Sequence, residues 1–273
     1  MILVNGLQAD SIAADDRGLA YGDGLFETIE ISRGRPLLWR RHWQRLSHGC
    51  DVLAIDCPDE EILQQECLAV ARDQVRGIVK IIITRGSGGR GYRPELYGSA
   101  RRIVSAHDWP EYPEQYKNSG IRLFRCEAIV SENKQLAGLK TLCRVEQVLA
   151  QMEWQEPAYA EGLMMTLSGH VIEGTRTNLF IVKNGRISTP KLNCAGIKGI
   201  MREVIIEMAI QSGMVVEERL MDHDDVMDAD EIFLCNSILK IWPVREYLDK
   251  VYRPGECTKR LMTLIDNQLG DYE

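Results

Sequence analysis

Five groupings along the chain combine residue types that could do chemistry. Lys140 sits in LAGLKTLCRVEQ (residues 136–147), with Leu139, Leu142, Val145 and Leu149 at roughly helical spacing around it. An amine fixed at the entry to a helix has a short reach, and burial lowers its pKa, which suits a nucleophile or base. Taken alone, Lys140 reads as a solvated lysine beside a helix. Glu173 stands at a strand end before GTRTN, placed to be partly buried and hydrogen-bonded, or else to cap a surface turn. Gly199, Ile200 and Met201 open a helix whose first amides have no intrahelical partner, an anion site that needs no special side chain. Arg41 and Arg45 lie four apart on one helix; they form either a solvated face or a pair of forks matched to phosphate oxygens. Finally, RGSGGRGY (residues 85–92) follows a strand, and its glycine density marks backbone that turns sharply or approaches a ligand. Arg90 and Tyr92 there suit a carboxylate-bearing ligand; a flexible surface loop is the alternative. The GKS/GKT ending of a phosphate loop is absent.

The elements that must hold these groups follow from pattern. YGDGLFETI (residues 21–29) is a loop feeding a strand, with Phe26, Thr28 and Glu30 on one face and Leu25, Glu27 and Ile29 on the other. Polar groups on both faces near Glu27 and Thr28 suit the floor of a pocket. Residues 38–53 form a helix whose apolar face is Trp39, His42, Trp43, Leu46 and Cys50. Asp59 caps a second helix, and residues 77–84 form a β-branched central strand buried on both sides. The proline-rich stretch at 107–120 reads as a linker. In the second half, residues 171–190 give two strand pieces joined at Lys183-Asn184-Gly185, and a helix closes the chain. The expected architecture is α+β in two domains: residues 1–109, a linker at 110–120, and residues 121–273.

Composition narrows the function classes. The net charge of -7, from 40 acidic and 33 basic residues, argues against nucleic-acid binding. No apolar run approaches a membrane span, and the N-terminus does not read as a signal peptide. Eight widely spaced cysteines without a CxxC pair, and scattered histidines, predict reduced thiols, no metal site and a cytoplasmic protein. Cys143, three residues from Lys140, is expected in the core.

YGDGLFET, HWQRL, LAGLKTLCRVEQ, VIEGTRTNLF, GIKGIMR and DEIFLCNS occur in an order, spread over nearly the whole chain, that resembles the branched-chain and D-amino-acid aminotransferase-like family, the fold type IV pyridoxal phosphate enzymes. The resemblance implies a smaller N-terminal domain, a larger barrel-like C-terminal domain, pyridoxal 5'-phosphate in the cleft between them, and a homodimer. Lys140 matches the lysine that carries the cofactor, and Glu173 the acid at its pyridine nitrogen. Arg45, Gly199, Ile200, Met201, Asn236 and Ser237 match the surroundings of its phosphate. The family often has threonine where Met201 stands, so one hydroxyl contact is lost while the backbone amide remains. ITRGSGGRGY (residues 83–92) and LAGLKTLCRVEQVL point to the lyase branch, whose reaction turns 4-amino-4-deoxychorismate into 4-aminobenzoate and pyruvate. Lys140 and Thr28 would be catalytic there, with Arg90, Tyr92 and Tyr112 at the substrate. A D-amino-acid or branched-chain aminotransferase, and a non-catalytic binding protein of the same fold, are the alternatives.

Overall fold

The computed structural model describes residues 1–95, 98–155 and 157–270, and the chain divides into two units. The first comprises residues 1–110 together with the short segment Leu139–Cys143. Its elements are β1 (Ile2–Val4), β2 (Leu7–Gln8), α1 (Arg17–Tyr21), β3 (Gly24–Ser32), β4 (Arg35–Pro36), α2 (Trp39–Leu53), α3 (Glu60–Ala71), β5 (Arg76–Thr84) and β6 (Arg101–Asp108). They make a six-stranded antiparallel sheet in the order β2-β1-β6-β5-β3-β4.

The predicted apolar stripe of α2 is real. His42, Leu46 and Cys50 are buried, and Trp39 and Trp43 pack beside them against Leu25, Ile29 and Ile31 of β3. Asp59 caps α3 by accepting from the amides of Glu61 and Ile62. Strand β5 is central, but its burial alternates: Val79, Ile81 and Ile83 are buried, while Ile78, Lys80 and Ile82 are half-exposed. The run of β-branched residues concealed this, because apolar side chains occupy both faces although only one is sealed.

The second unit contains α4 (Gln115–Asn118), β7 (Ile121–Ile129), α5 (Val145–Gln151), β8 (Tyr159–Met165), β9 (Val171–Gly174), β10 (Asn178–Lys183), β11 (Arg186–Pro190), α6 (Ile200–Gln211), β12 (Val216–Arg219), α7 (His223–Asp228), β13 (Glu231–Asn236), β14 (Lys240–Tyr247), β15 (Lys250–Val251) and α8 (Glu256–Gly270). Its nine-stranded mixed sheet runs β12-β11-β10-β13-β14-β7-β8-β9, with β15 on β14. The sheet curls, so that β9 at one end returns against β10 and β11. This is the barrel-like sheet expected of the larger domain. The stretch at 171–190 holds three strands rather than two, because the GTRT turn separates β9 from β10.

Two expectations about the Lys140 region fail. Residues 139–143 are not the start of a helix; α5 begins only at Val145. The apolar positions supposed to form its buried face diverge, with Leu139 buried but Val145 and Leu149 exposed. Cys143 is exposed rather than in the core, its thiol against the backbone of Tyr21 and Gly22. All eight cysteines are free thiols. Among the described residues no helix is long and apolar enough to cross a membrane, and no His/Cys/Asp/Glu group could hold a metal ion.

Candidate active site

In the first unit the site is built on β3. Phe26 N–H donates to the carbonyl of Lys140, and Leu142 N–H donates to that of Gly24, both at 3.0 Å, with Thr141 bridged to Leu25. Lys140 therefore hangs on a short extended segment laid antiparallel to β3, and its backbone is fixed by strand pairing. Its Nζ lies 4.2 Å from the centre of the Phe26 ring, a cation–π contact. Thr28, two residues on, shares that strand face and pairs with Lys80, whose Nζ lies 5.6 Å from the same ring. Lys140, Thr28 and a second ammonium thus share one surface, which suits an anionic reactant.

The opposite face of β3 carries a buried ion cluster. Glu27 accepts from Arg45 Nε at 2.7 Å and Arg45 Nη2 at 2.6 Å, and its Oε2 lies 2.6 Å from His42 Nδ1. Burial alone would raise the Glu27 pKa, but Arg45 and His42 outweigh it and hold the carboxyl down at about 2. Burial lowers the pKa of His42, aided by the charges of Arg45 and Lys140 and opposed by Glu27. A carboxylate only accepts, so the neutral imidazole carries its proton on Nδ1. The effect is to fix the Arg45 guanidinium through two of its nitrogens.

The second unit supplies a carboxylate linked to a helix start. Glu173, 4% exposed on β9, accepts from Ile197 N–H at 2.8 Å and from Asn178 Nδ2 at 3.4 Å. Asn178 also donates to the Ile197 carbonyl at 2.9 Å. A methyl on Gly199 would run into Asn178 Oδ1, so this packing requires glycine at the N-cap of α6. Gly199 is extended and has no side-chain cap, which leaves the first amides of α6 to other partners. The side chains of Ile200 and Met201 are buried in the core, so only their backbone can serve a ligand. Arg202 is committed to Thr189, Pro190 and Glu218. Asn236 ends β13, next to the Cys235 that pairs with Asn178. Its amide caps a turn, accepting from Ile238 and Leu239 N–H and donating to the Arg176 carbonyl, while the Ser237 carbonyl accepts from Lys240 Nζ.

The residues expected at the substrate belong to both units. Arg90 and Tyr92 are exposed on the glycine-rich loop, Tyr92 at 88%. That loop is gripped by Arg17, which donates to the carbonyls of Gly91 at 2.9 Å and Tyr92 at 3.2 Å and pairs with Asp23 at 2.9 Å. Arg85 shares the same Asp23 carboxylate. Tyr112 belongs to the second unit, edge-on to Trp242 at 4.8 Å, with the Arg176 guanidinium 5.9 Å from its ring. The sequence reading missed Phe26, Lys80, Arg17 and Asn178, and took His42 as merely apolar. The signal for the His42 pairing was present in Glu27, a carboxylate on an otherwise apolar strand face.

Each unit carries chemical types that pyridoxal 5'-phosphate uses: the first an amine and a fixed guanidinium, the second a buried carboxylate and uncapped helix amides. The family model "Amino-transferase class IV" matches residues 24–247. The chain is 36% identical to an aminodeoxychorismate lyase of Vibrio harveyi, over 96% of this chain and 98% of that one. The crystal structure of a 4-amino-4-deoxychorismate lyase from Pseudomonas aeruginosa superposes with a TM-score of 0.95 at 43% identity, covering 98% and 99% of the two chains. That of the Escherichia coli branched-chain amino acid aminotransferase gives 0.88 at 25% identity, covering 98% and 93%. The chain belongs to the class IV amino-transferase family.

Proposed function

We propose that this protein is a pyridoxal-phosphate-dependent lyase that converts 4-amino-4-deoxychorismate to 4-aminobenzoate and pyruvate. The observation that carries the reading is its full-length likeness to two lyases of that name, nearer than to the aminotransferase of the same fold. Bound pyridoxal phosphate supplies an electron sink for the pair released at the amine-bearing carbon. Lys140 would hold the cofactor through its amine and, once released, would take the proton from C4 as a neutral base. The C–O bond to the enolpyruvyl group breaks, its electron pair leaves with oxygen, and the ring becomes aromatic. Lys140 returns its proton to the departing group, which leaves as pyruvate. Thr28, on the same strand face, orients the reacting groups.

Glu173, held in place by Ile197 N–H and Asn178 Nδ2, would accept a hydrogen bond from the pyridine N–H of the cofactor. Opposite unit charges about 4 Å apart attract by roughly 4 kcal/mol at an effective dielectric near 20, and desolvation takes back part of that. The amides of Gly199, Ile200 and Met201, with Arg45, Asn236 and Ser237, take the phosphate. Arg90, Tyr92 and Tyr112 receive the substrate carboxylates. The chain acts in the cytoplasm as a homodimer. The exposed Val145, Val148, Leu149 and Met152 around α5 offer apolar surface to a second copy, and light scattering giving a monomer mass would refute that part.

The deciding test supplies 4-amino-4-deoxychorismate without any keto acid. 4-Aminobenzoate and pyruvate should appear in equal amounts, and Lys140→Ala should abolish both while leaving the circular dichroism spectrum unchanged. Turnover only with an amino acid and a keto acid together would instead establish an aminotransferase. Full activity in Lys140→Ala would refute the mechanism.

A further inference from the structure

The turn that joins β9 to β10 carries a charged side chain that the proposed reaction does not use. Glu173, Thr175, Thr177 and Asn178 on either side of it are buried, whereas the Arg176 side chain is 46% exposed. The backbone beneath it is fixed. Gly174 N–H donates to the Thr177 carbonyl at 2.7 Å, and Asn236 Nδ2 donates to the Arg176 carbonyl at 3.1 Å. Glu161 on β8 is fully buried; it accepts from Thr175 N–H and Thr177 Oγ1, both at 3.1 Å, and from the Thr175 hydroxyl.

These neutral donors occupy the Glu161 carboxylate, and Arg176 Nε, 3.6 Å from it, pairs with it without a hydrogen bond. Arg176 Nη2 donates to the Ala160 carbonyl at 3.1 Å. One edge of the guanidinium is thereby turned to the protein, while Nη1 has no hydrogen-bond partner among the described residues. The guanidinium carbon lies 5.9 Å from the centre of the Tyr112 ring and 6.0 Å from that of the buried Trp242, and the two rings meet edge-on at 4.8 Å. Aromatic walls beside a half-exposed cation displace water from it, which strengthens its attraction for an anion. An anchored planar fork with one end open matches a carboxylate.

Resting on the reaction proposed above, we infer that Arg176 binds a carboxylate of the substrate and sets the preference for it. The substrate has two such groups: one stays on the ring in 4-aminobenzoate, and the other departs in pyruvate. Tyr112, a substrate residue in that reading, is neutral, and Arg176 supplies the positive charge beside its ring. Glu161 is a positioning residue. It holds Thr175 and Thr177 on both sides of the arginine, so the guanidinium hangs from a fixed point and loses little freedom when it takes its anion. The carboxylates are charged before and after the bond changes, so the contact contributes mainly to binding rather than to the chemical step.

The test follows turnover of 4-amino-4-deoxychorismate, without keto acid, by the full-length, cofactor-loaded protein. Arg176→Gln should raise KM about 10- to 100-fold, the range for losing a hydrogen bond to a charged group, and change kcat far less. Arg176→Lys should recover part of that loss, because it keeps the charge but not the fork. Inhibition by 4-aminobenzoate or by pyruvate should weaken in parallel, and the product affected identifies which carboxylate Arg176 holds. The absorbance band of the bound cofactor and the melting temperature report whether the turn survives; if Arg176→Gln shifts them, Arg176→Lys decides. KM and both inhibition constants within about twofold of wild type, in a variant that keeps the band, would overturn the inference. A wild-type protein without turnover would refute the parent reaction and this inference together, whereas an active wild type with insensitive variants would refute the role of Arg176 alone.

Discussion

Replacing Glu27 by glutamine tests the buried cluster behind β3. The substitution keeps shape and hydrogen-bonding atoms but removes the charge that Arg45 faces. Glu27 is 1% exposed, so its interaction with Arg45 is little screened. Depression of a carboxyl from 4.5 to about 2 corresponds to roughly 3 kcal/mol of folded-state stabilisation at about 1.36 kcal/mol per pH unit. Because the folded pKa is the lower one, that stabilisation is complete above pH 4.5. It declines as pH falls through the window from 4.5 to about 2, where the folded carboxyl finally takes its proton. The expected result is a urea-unfolding deficit of about 3 kcal/mol for Glu27→Gln at pH 7 that narrows below pH 4.5. Trp39 and Trp43 on α2 provide the fluorescence signal for this unit. A deficit under about 1 kcal/mol at pH 7, or one unchanged at pH 3, would show that the cluster is not held by charge.

Other perturbations have directions set by the same geometry. Gly199→Ala should displace the Asn178 amide from Ile197 and Glu173, costing about 1–3 kcal/mol by thermal denaturation and weakening cofactor retention. Adding Asn178→Ala should recover part of the loss, and strict additivity of the two changes would refute the clash. Arg17→Ala should free the carbonyls of Gly91 and Tyr92, making residues 86–93 a preferred protease site and raising KM more than it lowers kcat. An unchanged cleavage pattern would show that Arg17 does not pin the loop.

Much of the molecule was legible because its signals are local. The α2 stripe, the Asp59 cap and the uncapped start of α6 each depend on residues within a few positions of one another. The setting of Lys140 was not legible in this way. Leu139, Leu142 and Val145 have helical spacing, yet the backbone at 140–142 bonds to Gly24 and Phe26, more than a hundred residues earlier. Such pairing overrides local preference and leaves no trace in a short window. Cys143 failed for a related reason: Gly22 brings the backbone to its thiol without enclosing it. The Arg17–Asp23–Arg85 cluster joins charges some sixty residues apart, and each of them alone reads as solvated.

The ladder of β3 with β5 pairs nine consecutive residues, from Gly24 with Thr84 to Ser32 with Arg76. Side chains alternate along it, so a slip of one position would send Thr28 toward α2 and turn Glu27 to the side that carries Phe26. Any gain or loss of a single residue inside either strand would therefore exchange the reactive surface for the ion cluster. Length variation compatible with activity must fall outside the ladder, at the Arg33-Gly34 hairpin or in the long connection that follows Thr84.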